Sequence, residues 1–205
     1  MSYCLCSLVD QLNQIARTTL ATTDTLQSMP DYFEHIPTPI GPITVTGDGD
    51  GVVTSISFDG HLRFDVEPLE PAGELFAHLK SELNEYFQGS RKEFTVAHRA
   101  QGTEFQLEVW DTLCKIPFGE TVSYLDVARY MGNVGAIRAI GAANGKNPIP
   151  ILVPCHRVIG AKGDLVGFSG GIERKVFLLK HEIAHSNLMK PQWRLARRVQ
   201  PNEPA

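Results

Sequence analysis

Hydrophobic side chains recur along this chain with two periods, and the switches between them mark out the elements. Residues 52–58, Val-Val-Thr-Ser-Ile-Ser-Phe, alternate apolar and polar, the pattern of a half-buried strand. Residues 39–46, Pro-Ile-Gly-Pro-Ile-Thr-Val-Thr, predict a strand before it, with Asp48-Gly49-Asp50-Gly51 as the hairpin turn between. From Leu75 the period lengthens. Leu75, Phe76, Leu79, Leu83, Tyr86 and Phe87 share one helical face, and Gly89 ends that helix. Residues 93–98 predict a further strand. Two strands, a helix and a strand form a small α/β unit over residues 31–100, with nothing chemical in it.

The second half reads as mainly helical. Thr103 and Gln106 have capping-box spacing, and Phe105, Val109, Trp110 and Leu113 line the buried face of the helix that follows. Residues 116–120, Ile-Pro-Phe-Gly-Glu, break it. Ser123 and Asp126 open a short helix over residues 124–131, capped by Gly132. A three-residue turn and a helix over 135–144 complete helix-turn-helix spacing. That second helix is smooth: Gly135, Ala136, Ala139, Gly141, Ala142 and Ala143 surround one long polar side chain, Arg138. Small residues serve tight helix packing or close approach to a nucleic acid, and the pattern alone does not choose. Prolines at 148, 150 and 154 flank Ile151, Leu152 and Val153, which predict a short buried strand ending at Pro154. A last helix over 172–184 carries Val176, Phe177 and Leu179 inward. These elements make residues 101–185 a second domain. Residues 1–30 are a Thr-rich extension, with a short helix over 5–17. Residues 186–205 are a basic tail with Lys190, Arg194, Arg197 and Arg198.

Charge sharpens the division. Residues 1–102 hold 6 basic and 14 acidic side chains; residues 103–205 hold 13 basic and 9 acidic. The overall −4 therefore conceals a basic C-terminal half, which suits a polyanionic partner. An apolar content of 42% supports a real core. No apolar run approaches the ~20 residues of a membrane span, and residues 1–9 lack the basic start of a signal peptide. A cytoplasmic protein with no membrane partner is expected.

The four cysteines, at 4, 6, 114 and 155, have no disulfide-framework spacing and suit a reducing compartment. Cys114 is expected in the core. Cys4-Leu5-Cys6 could meet His35 or His61 at a metal, but no second cysteine pair supports it, and Asp48-Gly-Asp-Gly lacks the remaining ligands of a calcium loop. The Gly-rich stretch 159–171 matches neither a phosphate loop nor a dinucleotide fingerprint. Neither metal nor cofactor is expected.

The chemistry concentrates at Cys155-His156. A thiol where a buried strand stops is held by the scaffold, and a neighbouring imidazole raises its thiolate fraction. Adjacent strand residues point to opposite faces, so the pair would communicate through a bend or a water. Pro154-Cys155-His156-Arg157-Val158, with Asn147-Pro148 before it and Ser169-Gly170-Gly171 after it, resembles the active-site segment of the O6-alkylguanine-DNA alkyltransferases. These proteins move an alkyl group from guanine O6 onto their own cysteine. Residues 117–124, Pro-Phe-Gly-Glu-Thr-Val-Ser-Tyr, are again similar to that family. The resemblance covers about residues 36–183 and is strong from 103.

The resemblance implies a ribonuclease-H-like α/β N-terminal domain, mainly structural, and a mainly α C-terminal domain with a winged-helix-like helix-turn-helix. It implies that Cys155 is the nucleophile, that His156 deprotonates it through a water, and that Glu182 orients the imidazole. It further implies that Tyr124 donates a proton to the departing guanine, that Asn147 braces the turn, and that Arg138, beside Gly135 and Ala136, fills the hole of a flipped nucleotide in the minor groove. Pro150, Val158, Phe168, Ser169 and Gly170 would form the alkylguanine pocket, with the carbonyls of Cys155 and Val158 and the Ser169 amide reading the base. Many relatives carry Tyr or Trp where Phe168 stands, which leaves the alkyl preference open. The implied partner is duplex DNA bearing O6-alkylguanine, with O4-alkylthymine as a second substrate. The implied protein acts once, as a monomer, with cooperative assembly on DNA left open.

Three other classes compete. A helix-turn-helix regulator would bind one sequence without modifying itself. A non-catalytic DNA-lesion binder of this fold would lack Cys155. A cysteine hydrolase would turn over on small acyl substrates.

Overall fold

The computed structural model describes residues 32–58 and 70–186. The extension at 1–30, including Cys4 and Cys6, lies outside them, as do His61 and the tail from 187 onward.

Strands β1 (Tyr32–Ile36), β2 (Ile43–Gly47), β3 (Val53–Phe58) and β4 (Glu70–Pro71) form a sheet in the order β3-β2-β1-β4. The first three pair antiparallel, and β4 lies parallel to β1. Asp48 closes the β2–β3 turn: its side chain accepts from the amides of Asp50 and Val52, and its carbonyl from Gly51. Alternation places Ile43, Val45, Ile56 and Phe58 in the core. The intervening hydroxyls are also buried, so they must pair with one another. Thr46 meets Ser55 at 2.8 Å and Thr54 at 3.2 Å. Helix α1 (Ala77–Phe87) buries Leu79, Leu83 and Tyr86 against this sheet.

The strand expected over 93–98 is only one parallel bridge, between Val53 and His98. The buried Glu82 carboxylate accepts the amides of Thr95 and Val96. Those amides are spent on a helix side chain and cannot build a ladder. The strand expected from 39 begins only at Ile43, because Thr38–Gly41 form a turn. Strands β1 and β4 were not legible. The five residues of β1 show no alternation of burial, and β4 has two.

The second half opens on α2 (Glu104–Leu113), with both hydrogen bonds of the Thr103–Gln106 capping box present. Strand β5 (Val122–Ser123) runs into α3 (Tyr124–Tyr130), capped by Ser123 and Asp126 in the same manner. A 3-10 helix, Val134–Ala136, precedes α4 (Ile137–Gly145), so the second helix starts tighter than its sequence predicted. Strand β6 (Val158–Ile159) pairs parallel with β5, and α5 (Ile172–Ala184) closes the chain. Cys114 is exposed, not core, because α2 ends at Leu113 and turns it outward. Phe177 is 39% exposed. The inward face of α5 is set by Lys175, Leu178, Leu179 and Glu182, spaced by three or four, and Phe177 stacks outside against His181.

One hydrophobic core runs through both halves. The amide of Ile56 in edge strand β3 donates to Pro148 O at 2.8 Å, so the second half extends the cover of an edge whose start is bridged to His98. The Trp110 indole donates to Ala143 O at 2.9 Å and ties α4 to α2. Among the described residues no helix is long and apolar enough to cross a membrane.

Candidate active site

The thiol is presented by a stapled turn, not by a strand. Asn147 is fully buried; its Nδ2 donates to Val153 O at 2.8 Å, and its Oδ1 accepts from Ile149 N at 3.0 Å. The amide of Val153 returns to Ile149 O. Together they close residues 149–153 into a turn in which Ile151 takes φ +80°. That region is costly for a β-branched residue, of order 1–3 kcal/mol, and persists only where surrounding bonds fix it. Three prolines had excluded helix correctly. They did not distinguish a strand from this turn, which the Asn147 side chain decides.

Cys155 then opens a 3-10 helix, Cys155–Arg157. At three residues per turn, successive side chains diverge by about 120°, so Cys155 and His156 are not on opposite faces. Both are buried.

Glu182, at 0% exposure, lies behind His156 and collects donors from four places. Oε1 accepts from His156 Nε2 at 2.9 Å, from Tyr86 Oη at 2.9 Å and from Arg157 Nη2 at 3.0 Å. Oε2 accepts from Arg157 Nε at 2.9 Å and from Gly119 N at 3.0 Å. Gly119 has φ +82°, and a Cβ there would fall 2.5 Å from Ser186 Cβ, so the close approach requires glycine. Burial would by itself raise the carboxyl pKa. The attraction and hydrogen bonds of His156 and Arg157 outweigh it and hold Glu182 well below the usual carboxylate range.

This fixes the imidazole. An ionised carboxylate only accepts, so His156 Nε2 carries the hydrogen and Nδ1 presents a lone pair. Nδ1 is buried and has no hydrogen-bond partner. Burial, with Arg157 and Lys175 nearby, lowers the His156 pKa despite Glu182, so the ring is neutral at pH 7. The permanent cation balancing Glu182 is Arg157, which leaves His156 able to take a proton.

Tyr124 lies close to the thiol because β5 pairs with β6, immediately after the 3-10 turn. Burial raises its hydroxyl pKa, and a thiolate at the nearby Cys155 raises it further. It is therefore a protonated phenol, a donor. Asn144 Nδ2 reaches Tyr124 Oη at 3.5 Å and Cys155 O at 3.4 Å. Lys175 is fully buried, and its Nζ donates to Val158 O at 2.7 Å and Val166 O at 3.0 Å. It thereby ties the 160–171 loop to β6. Burial lowers its pKa to about 8, opposed by the charge of a thiolate at Cys155.

Of the residues expected to enclose the base, Pro150, Val158 and Gly170 are buried, Phe168 is half-buried and Ser169 is exposed. Phe168 faces the His156 ring edge-on, with centroids 6.5 Å apart. The Val158 carbonyl already accepts from Lys175 and can accept one donor more, whereas the Cys155 carbonyl accepts from both the Val158 amide and Asn144 Nδ2. Arg138 lies on the outer face of α4, exposed with Gly135, Ala139 and Ala142, while Ile140, Ala143 and Asn144 turn inward. The small residues thus divide: Ala143 packs inside, and a smooth face bearing Arg138 is left open. Ala136 is half-buried at the start of that face.

One side chain of the N-terminal half reaches the Glu182 cluster. Tyr86 was legible as one apolar position among six, yet its hydroxyl reaches the Glu182 carboxylate. A buried tyrosine needs a partner for its O–H, and that was the available signal. Arg157, Gly119, Lys175 and Asn144 also went unassigned. Arg157 stood inside the five-residue motif, while nothing in the sequence set Lys175 apart from a surface lysine. Among the described residues no cluster of three or more His, Cys, Asp or Glu side chains could hold a metal. His35, one suggested ligand, is hydrogen-bonded to Thr44.

Residues 32–98 match the family described as 6-O-methylguanine DNA methyltransferase, ribonuclease-like domain, and residues 104–184 match its DNA binding domain. The chain is 43% identical over 152 residues to a methylated-DNA–protein-cysteine methyltransferase of Methanosarcina acetivorans, covering 74% of this chain and 97% of the relative. It is 46% identical over 155 residues to the Mycobacterium bovis protein of that name, covering 74% and 92%. Among solved structures, the O6-methylguanine methyltransferase of Mycobacterium tuberculosis superposes with a TM-score of 0.68 at 45% identity, covering 76% of this chain and 94% of that one. The Mycobacterium tuberculosis OGT in complex with DNA gives 0.70 at 44% identity, with the same coverage.

Proposed function

This chain belongs to the 6-O-methylguanine DNA methyltransferase family, and from that premise we propose that it repairs O6-alkylguanine in duplex DNA by moving the alkyl group onto Cys155, once per molecule. The observation that carries this is the buried relay in which Glu182 fixes His156 with a basic nitrogen presented, beside a thiol and a phenol.

His156 takes the thiol proton at Nδ1, through a water. The Cys155 sulfur attacks the alkyl carbon, a C–S bond forms, and the carbon–O6 bond breaks with its electron pair going to the guanine. The Tyr124 hydroxyl supplies the proton that neutralises the departing base. Asn147 holds the turn, and Pro150, Val158, Phe168, Ser169 and Gly170 enclose the base. Residues 31–100 form the structural domain and 101–185 the DNA-binding and transfer domain. The smooth face of α4, with Gly135 and Ala136, approaches the minor groove, and Arg138 occupies the place of the flipped nucleotide. O4-alkylthymine fits the same chemistry.

The product is a thioether, which is neither readily hydrolysed nor reduced. Intact-mass measurement after mixing with excess O6-methylguanine duplex tests the reading. One methyl per molecule on Cys155, with product plateauing at one equivalent, is expected. Sustained turnover with Cys155 unmodified would overturn it.

A further inference from the structure

We propose that the N-terminal half sets the size of alkyl group the site accepts, through Phe58, which backs the pocket wall from behind; this rests on the alkyl-transfer reading above. Phe58 is the last residue of β3 and is buried. Its ring packs against Phe168 with centroids 5.7 Å apart, and Phe168 in turn faces His156. The aromatic row therefore runs from the sheet of the first half to the imidazole beside the thiol.

Two further contacts lock the row. Arg174 lies over the Phe58 ring at 5.1 Å. Its Nε donates to Ile40 O at 2.8 Å in the first half, and its Nη1 to Gly170 O at 2.9 Å in the pocket loop. One guanidinium thus joins the two halves across the Phe58 ring. Gly170 is pressed against the same ring: a Cβ there would lie 2.5 Å from Phe58 Cε2 and 2.8 Å from Phe168 Cε1. The loop that closes the pocket has no room to retreat while Phe58 is in place. Phe168 lacks the hydroxyl with which a tyrosine could anchor itself, so its position depends on what packs behind it.

A larger alkyl group needs this wall to move outward, whereas a methyl does not. Phe58 is therefore a positioning residue for specificity, acting through Phe168 without touching the substrate. The test uses the full chain with duplexes carrying O6-methylguanine or O6-benzylguanine, and measures single-turnover rates for Phe58→Ala and the milder Phe58→Leu. The benzyl-to-methyl rate ratio should rise about tenfold in Phe58→Ala, the scale on which pocket shape discriminates small apolar differences, and less in Phe58→Leu. Gly170→Ala should depress the benzyl rate, and adding Phe58→Ala should restore part of it, because the ring that Cβ meets is gone. A ratio unchanged within about twofold, with both rates falling together, would make Phe58 merely structural and overturn the proposal. Absence of methyl transfer by the unaltered protein would instead refute the alkyl-transfer reading.

Discussion

Replacing Glu182 by Gln tests the centre of the site with a change of one atom. The carboxylate accepts from Tyr86, Gly119, His156 and Arg157 and is 0% exposed. The amide keeps the shape but loses the charge, and its NH2 must face donors wherever it is turned. Arg157, itself buried, is left without its counter-charge. Removing one partner of a buried pair costs about 3–5 kcal/mol. At roughly 2–4 °C per kcal/mol for a chain of this size, Tm should fall by roughly 6–20 °C. Transfer should suffer separately. Where the carboxylate orienting a catalytic His becomes an amide in a serine protease, the rate drops about 10⁴-fold through the wrong tautomer. A loss of about 10²–10⁴-fold in the single-turnover rate is expected here on the same ground. Adding Arg157→Met to Glu182→Gln removes the stranded charge and should recover much of the Tm but none of the rate. Thermal unfolding and rapid-quench transfer measure the two effects. A single Glu182→Gln variant melting within about 2 °C of the parent and transferring at the parental rate would refute the reasoning.

Cys155→Ser should abolish transfer and leave duplex affinity nearly unchanged, because backbone contacts come from other residues; gel-shift and mass measurements decide it. Arg138→Ala should slow repair of duplex more than reaction with a free alkylated base, since only the duplex requires a few kcal/mol of unstacking; equal losses would place Arg138 in the fold. The His156 pKa is lowered from 6.5, so a rate dependent on neutral His156 should hold through pH 6.5 and fall only below it. The unfolded chain then binds more protons, so stability should also fall as pH drops from 6.5, and Glu182 extends that loss as pH falls below 4.5. Lys175 has a folded pKa of about 8 against 10.5, so the unfolded chain holds more protons between those values. Stability should rise from pH 8 to 10, and Lys175→Met should remove that rise in a denaturant series.

By itself the sequence determined whatever rests on local periodicity and local hydrogen bonding. Both capping boxes formed as spaced, α5 spans residues 172–184 as expected, and the β2–β3 hairpin turns where Asp48-Gly-Asp-Gly stands. The thiol and its imidazole stood together in one five-residue motif. Tertiary structure decided what depends on partners distant in sequence. Residues 93–98 have strand composition, but Glu82 takes the amides of Thr95 and Val96. Residues 151–153 have strand composition, but the Asn147 side chain bends them into a turn. Lys175 reads as a surface lysine until three loop and strand carbonyls bury it. Tyr86 meets Glu182 across 96 positions, and Arg174 meets Ile40 across 134. No period or spacing in a linear chain encodes such a meeting, because a buried polar group is satisfied by whichever donor the packed core brings to it.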